Sequence, residues 1–233
     1  MQPHKTYFNW SSGKDSSFAL FLILKDSNYN VDLLVTTINK HYNRVSMHGL
    51  RRNVLEAQTK ALNLPLKTIE LPELPSMEDY EAIMTKTIND LITANYTHCV
   101  FGDIFLEDLR TYRDNSLKPF NLTSIYPLWK MDTKKLITQF IDLGFKAVVV
   151  CAKADFFDED FVGKTLTHQL IEDLPKDVDV CGENGEFHTF CYDGPIFSSP
   201  VNYNLGEKTY RAYNTPNTKD GKSGFWFCDI ILD

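Results

Sequence analysis

Residues 11–16 read Ser-Ser-Gly-Lys-Asp-Ser, and they separate a strand-like segment holding Phe8 and Trp10 from the unbroken apolar run Phe18-Ala19-Leu20-Phe21-Leu22-Ile23-Leu24. A helix that is apolar on every side must pack between two layers, so this stretch demands a buried strand, a tight turn and a helix without a solvent face. Where such a turn opens a helix, unpaired backbone N–H groups and the positive end of the dipole face outward, and Gly13 lets an anion approach closely. Ser11, Ser16 and Ser17 add hydroxyl donors and Lys14 a cation. Asp15 would repel a polyphosphate unless a divalent cation stood between them, which implies Mg²⁺. Ser11, Ser12, Gly13, Lys14, Asp15 and Ser16 are therefore the candidate phosphate-binding residues, with Asp15 a candidate metal ligand. The alternative is a serine-rich helix cap with ordinary turn chemistry.

The rest of the first two thirds repeats that alternation. Strands are expected at 5–10, 31–38, 66–69, 97–101 and 145–151. Helices are expected at 16–26, from Leu50 to Pro65, from Ser76 to about Ala94, from Ile104 to Ser116, and from Asp132 to a stop at Gly144. Strands alternating with helices specify an α/β fold, a parallel sheet covered on both faces. Beyond residue 153 the pattern changes to one helix at 162–174 and Gly/Pro-punctuated strands at 190–192, 196–202, 208–213 and 225–232. These read as antiparallel, so a nucleotide-type domain over 1–152 and a smaller α+β domain over 153–233 are expected.

A net charge of −7 and a pI near 5.4 argue against a broad nucleic-acid surface and favour a small molecule or protein as substrate. No segment approaches the roughly 18 consecutive apolar residues of a membrane span, and the opening MQPHKTYF lacks the apolar stretch of a signal peptide, so a cytoplasmic protein without membrane association is expected. The five cysteines are odd in number and never spaced CxxC, which excludes a disulfide framework or a zinc site as the organising principle. Oligomeric state is not set by these features, and a homo-oligomer is compatible with them.

In open parallel sheets ligands bind beyond the carboxyl ends of strands, and three further places there carry polar residues. Thr36-Thr37-Ile38-Asn39 ends the second strand, where backbone groups, with Thr37 the nucleotide-binding candidate, could read an adenine edge; an ordinary strand end is the equal alternative. Gly102-Asp103 ends the fourth, with Arg110 and Arg113 three apart on the following helix, so that both could reach one anion. Asp103 would point into the same crevice as Asp15 and supply a second carboxylate to a metal; a solvated helix face is the competing reading. The loop Cys181-Gly182-Glu183-Asn184-Gly185-Glu186 sets two carboxylates on one tight turn, where they repel unless a cation, an ammonium group or a substrate donor lies between them; a plain hairpin turn is the alternative. His48 and His188 sit in motif-like turns.

The spacing of residues 11–16 is not that of the Walker loop. It resembles the SGGxDS signature of the PP-loop ATP pyrophosphatases, with Ser12 in place of the first glycine and Gly13 retained. Taken in order with Met47-His48-Gly49, FGDIFLEDLRTYRD (101–114), Pro127-Leu128-Trp129 and CGENGEFHTFCYDGP (181–195), the chain resembles the diphthine–ammonia ligase family over nearly its whole length. That resemblance implies a Rossmann-like domain of the adenine nucleotide α-hydrolase type, and a small C-terminal domain carrying the CGENGE loop. It also implies a reaction in which ATP adenylates the carboxylate of diphthine, a modified histidine of translation elongation factor 2, and ammonia displaces AMP.

On that resemblance ATP, Mg²⁺, ammonia or a small amine, and a carboxylate substrate are the partners. Lys14, Asp15, Glu183 and Glu186 would be catalytic, Gly102 and Asp103 would complete the nucleotide and metal site, and Arg110, Arg113, His48 and His188 would bind substrate. His188 stands where archaeal and eukaryotic members usually carry Glu or Ser, and the CGENGEFHT form resembles the bacterial branch; the long eukaryotic C-terminal extension has no counterpart here. Bacteria make no diphthamide, so a bacterial source implies the same phosphate chemistry on another carboxylate. Two rival readings are a PP-loop tRNA-modifying enzyme, against which the absence of paired cysteines and of a basic surface counts, and a nucleotide-binding protein without turnover, against which Lys14, Asp15 and Asp103 count.

Overall fold

A computed structural model describes residues 2–46, 48–214 and 222–233; Met47 of the Met-His-Gly motif lies outside the described residues. The elements run β1 (His4–Asn9), α1 (Lys14–Ile23), β2 (Tyr29–Asn39), β3 (Arg44–Val45), α2 (Arg52–Ala61), β4 (Leu66–Leu71), α3 (Met77–Thr93), β5 (His98–Val100), α4 (Glu107–Leu117), β6 (Thr123–Ile125), α5 (Thr133–Asp142), β7 (Lys146–Lys153), α6 (His168–Glu172), β8 (Phe187–Asp193), β9 (Tyr203–Asn214) and β10 (Lys222–Leu232).

The first sheet orders its parallel strands β4-β2-β1-β5-β6, with β3 antiparallel to the last residues of β2. The chain winds outward from β1 through β2 to β4, then returns to β1's other side for β5 and β6. The strand order therefore reverses between β1 and β5, and the loops leaving those two strands flank a crevice.

Both faces of this sheet are covered, as the alternation of strands and helices requires. On one face Tyr7, Cys99 and Phe101 pack with Ile88 and Leu91 of α3 and Leu117 of α4. On the other, Phe8 and Trp10 pack with α1, and α1 in turn meets Phe140 and Phe145 through Phe18. That second contact explains the helix without a polar face, because α1 lies between the two sheets. α3 and α5 begin where their caps predict: Ser76 accepts from Asp79 N–H and Asp132 from Lys135 N–H. Among the described residues no helix is long and apolar enough to cross a membrane.

The second sheet is antiparallel throughout, in the order β8-β7-β10-β9. β7, which its apolar run assigns to the end of the parallel sheet, instead pairs antiparallel with β8 and β10, a correction to the expected topology. A fully apolar run buried on both faces looks the same in either kind of sheet. Only residues 168–172 of the expected helix 162–174 are helical. The preceding segment lies against β7, with Gly163 and Leu166 donating to Val149 and Ala147 carbonyls and Val149 donating to Lys164. Residues 196–202 form no strand, because between Pro195 and Pro200 the chain turns back so that Ser198 N–H meets the Ala61 carbonyl at the end of α2.

The sheets are also tied by charge. Asp229 of β10 accepts from Arg44 Nη1 at 2.8 Å and from Arg51 Nε at 2.9 Å. Burial alone would raise this carboxyl, but the two guanidinium groups hold it down at about 2. Its native pKa lies below the unfolded value, so the stabilisation is complete above about pH 4 and is lost as pH falls through about 2. Asp229→Asn is expected to cost about 2 kcal/mol in a urea melt at pH 7 and much less at pH 2.5; an equal cost at both would contradict the assignment.

Candidate functional site

The crevice where the strand order reverses is built from three loops. The first follows β1. Ser12 takes a left-handed backbone, φ 72°, the conformation a glycine would adopt without cost at the place where the signature has one. The turn is held from behind by Gln58 of α2, whose Nε2 donates to the carbonyls of Ser12 (3.0 Å) and Cys191 (2.6 Å) while its Oε1 accepts from Trp10 Nε1. Within the loop the Ser11 and Ser16 hydroxyls lie 2.6 Å apart, and Lys14 N–H is capped by Thr189 Oγ1 of β8 at 3.0 Å. A Cβ on Gly13 would sit 3.0 Å from His48 Cε1 and 3.2 Å from the Thr189 carbonyl, so only glycine fits there without displacing a neighbour.

Lys14 is 2 % exposed, and its Nζ lies 2.6 Å from Asp15 Oδ2. Burial disfavours its ammonium, but the Asp15 carboxylate, together with Cys181 and Glu183, outweighs burial and raises it above the ordinary lysine value. Burial pushes the Asp15 carboxyl up, and Lys14 opposes. The pair is thus a buried cation with one carboxylate beside it, at the N-terminus of a ten-residue helix.

The second loop follows β5 and meets the first directly. A Cβ on Gly102 would stand 3.1 Å from Ser16 N and 3.2 Å from the Asp15 carbonyl carbon, both backbone atoms. Gly102→Ala is accordingly expected to destabilise by about 1–3 kcal/mol, the usual range for overpacking, as measured by denaturant unfolding. Asp103 accepts from Arg113 Nη2 at 3.1 Å, and burial raises its carboxyl despite that partner.

Asp15 Oδ1 and Asp103 Oδ2 are both buried and both lack a hydrogen-bond partner. Among the described residues no group of three or more His, Cys, Asp or Glu side chains is drawn together. Two orphaned carboxylate oxygens on facing loops nevertheless fit a hard divalent cation that takes its remaining oxygens from water and phosphate.

The third loop, between α6 and β8, reaches across the crevice. Glu183 accepts from Ile104 N–H at 2.7 Å, and α4 starts at Glu107, three residues later than its sequence suggests. Its carboxyl is pushed up to about 7, first by burial and then by the nearby Asp15 and Asp103 charges, against the Ile104 N–H and Lys14. Glu186 is engaged within its own loop, accepting from Asp179 N–H and Asn184 Nδ2 at 3.0 Å each, and its second oxygen is buried without a partner.

His48 and His188 come together with ring centroids 4.7 Å apart. Burial is the main reason both stay neutral: His48 falls to about 3, helped by His188, and His188 to about 4, helped by Lys14. Arg110 and Arg113 take different partners rather than converging. Arg113 pairs with Asp103 and lies over Phe101, whereas Arg110 lies 4.8 Å over Tyr126 and 4.5 Å over Trp129. Thr37 is partly buried in β2, its carbonyl accepting from Ser46 N–H, and Thr36 is the threonine of that pair fixed to the loop, through the Trp10 carbonyl.

Three positioning residues lie outside the set of site residues expected from the sequence. Gln58 is, with Thr59, one of two buried polar residues of α2, Thr189 caps Lys14, and Asp179 accepts from Cys181 and Glu183 N–H groups. Gln58 leaves a sequence trace as a polar interruption between Val54, Leu55 and Ala61, and Thr189 falls within the 181–195 motif, which gives it no role of its own.

An open α/β sheet with an anion-suited helix N-terminus and buried carboxylates at its reversal point defines a class of ligand-binding α/β proteins. Residues 4–119 match the family model of the diphthamide synthase N-terminal domain, and residues 132–217 that of the C-terminal domain. The chain belongs to the diphthine–ammonia ligase family. It is 28% identical over 173 residues to the human diphthine–ammonia ligase, covering 69% of this chain and 64% of that one. It is 33% identical over 105 residues to the mouse protein, covering 43% of this chain and 39% of its relative. The match thus spans less than two thirds of those relatives. A solved structure, the predicted subunit of tRNA methyltransferase from Methanocaldococcus jannaschii, is similar at TM-score 0.41 and 19% identity, covering 64% of this chain and 79% of that one.

Proposed function

We propose that this protein is an ATP-dependent ligase that activates a carboxylate as its acyl-adenylate, with release of pyrophosphate, and amidates it with ammonia. The observation that carries the reading is the convergence of two orphaned buried carboxylate oxygens, Asp15 Oδ1 and Asp103 Oδ2, with the buried Lys14 cation at one helix N-terminus. An anion site alone would not need carboxylates there; polyphosphate with Mg²⁺ does. Asp15 and Asp103 would hold the ion, which when bound offsets phosphate charge.

In this mechanism the Ser11–Ser16 loop binds the β and γ phosphates, and Lys14 neutralises the charge that builds on pyrophosphate as the acceptor oxygen attacks the α phosphorus. Thr37 lies at the adenine side. Arg113 orients Asp103, and Arg110 faces the acceptor's anionic group. Ammonia then attacks the acyl carbon, AMP leaves, and Glu183 takes the surplus proton, a task suited to a carboxyl poised near neutrality. Glu186 orders the loop that presents Glu183, while His48 and His188 line the substrate side as neutral donors. The nucleotide-holding part and the acceptor-side part divide, in this reading, between β6 and α5, where sheet membership changes, rather than at residue 152. A cytoplasmic setting supplies ATP and ammonia.

With ATP, Mg²⁺, ammonium and a carboxylate acceptor, the protein is expected to yield AMP and pyrophosphate in equal amounts. The acceptor first tried is diphthine on elongation factor 2, followed by small carboxylic acids. ADP and phosphate as products would overturn the proposal.

A further inference from the structure

Outside the crevice, a cavity of about 440 Å³ opens between the end of β2 and the start of α2, lined by Tyr42, Asn43, Arg44, Arg51, Arg52 and Asn53. Its volume is within the ordinary range for small-ligand sites, about 300–1,000 Å³. No carboxylate lines it. Three guanidinium groups and two amides do, in a chain whose net charge is −7.

The arginines are braced from behind. Arg44 Nη1 donates to Asp229 at 2.8 Å and to the Gly49 carbonyl at 2.7 Å, and Arg51 Nε donates to Asp229 at 2.9 Å. Arg52 pairs with Glu70 through one Nη, and its Nε is buried with no hydrogen-bond partner. Asp229 and Glu70 therefore face three lining arginines, and at Tyr42 the Glu73 carboxylate on its hydroxyl is matched by Arg211 over its ring, so one positive charge remains in excess. Asp229 needs only one arginine for neutrality. Holding two leaves one positive charge in excess and fixes both forks, whose remaining N–H groups are suited to bidentate recognition of an oxyanion. The Tyr42 hydroxyl is already committed to Glu73, so it does not offer a competing acceptor.

We propose that this cavity is a second binding site, for a ligand that presents a phosphate or carboxylate group to Arg51 and Arg52. It shares no residue with the crevice at β1 and β5, and it does not depend on the amidation reading. The orphaned Nε–H of Arg52 is one more donor beside the cavity's guanidinium groups, and an oxyanion both satisfies such a donor and offsets the excess positive charge.

The test observes the arginines directly. With the full chain labelled with ¹⁵N at arginine and ionic strength held constant, side-chain Nε–H signals are followed while inorganic phosphate, and separately succinate, is titrated. The Arg51 and Arg52 signals are expected to move together to saturation with one dissociation constant for at least one of the two probes. The probe that saturates identifies the group, phosphate or carboxylate.

Arg52→Gln leaves both ties to Asp229 intact and is expected to raise the constant read at Arg51 about tenfold, the loss of one charge-assisted hydrogen bond. Arg51→Gln, read at Arg52, is the second variant should the first misfold. Lys134→Gln/Lys135→Gln, which removes charge from the exposed start of α5, is expected to change nothing. Shifts that grow without saturating for both probes, or a constant unchanged in both arginine variants, would overturn the proposal. Neither outcome bears on whether ATP is turned over.

Discussion

Lys14→Ala is expected to reduce ATP-dependent turnover by roughly a thousandfold, the upper end of the loss seen when one preorganised group that stabilises transition-state charge is removed. Lys14 is the only cation joined to the loop itself among the described residues' ion pairs there, and it is buried against Asp15 and above the Phe187 ring. Its removal also leaves the Asp15 carboxyl without its partner. Breaking a buried pair from one side costs about 3–5 kcal/mol, whereas removing both charges costs far less. A urea melt should therefore find Lys14→Ala/Asp15→Asn more stable than Lys14→Ala alone, with neither restoring turnover. A folded Lys14→Ala protein that retains turnover within tenfold of the parent would contradict the role given to Lys14.

The second large effect belongs to Glu183. As a general base it must be ionised, and with its carboxyl near 7 the rate, measured with the concentration of free NH₃ held constant across the series, should climb as pH rises through that value and level off above it. Glu183→Gln keeps an acceptor for Ile104 N–H but cannot take a proton, so turnover should fall by about 10²–10⁴ and the limb near pH 7 should flatten. Glu186→Gln should retain the limb, because Glu186 acts within its own loop. A rate that still climbs through pH 7 in Glu183→Gln assigns the base to another group.

The parts of this account that were legible in the sequence share a physical cause. α1 could be placed between layers because no face of it is polar, and the loops at Ser11–Ser16 and Gly102-Asp103 could be placed at strand ends because each follows an apolar run and precedes a helical pattern. β7 could not be assigned to its sheet, since burial on both faces erases the alternation that distinguishes sheet types. The segment before α6 carries apolar residues at helical spacing, Phe161, Val162 and Leu166, yet they are buried while its backbone pairs with β7, so a long-range partner overrode local pattern. At the site, residues that bear charge on a motif were found, and those that act by a single well-placed hydrogen bond, Gln58, Thr189 and Asp179, were not. A lone polar side chain announces its partner only when the fold brings that partner near.

The chemistry proposed for the crevice makes one atom traceable. If the acceptor carboxylate attacks the α phosphorus and ammonia then expels AMP, one oxygen of that carboxylate must leave with the nucleotide. Turnover of an acceptor labelled with ¹⁸O in its carboxylate, read by mass spectrometry of the products, is predicted to place one ¹⁸O in AMP and none in pyrophosphate. Label found in inorganic phosphate, or AMP carrying none, would contradict an acyl-adenylate and with it the role assigned to the Lys14, Asp15 and Asp103 cluster.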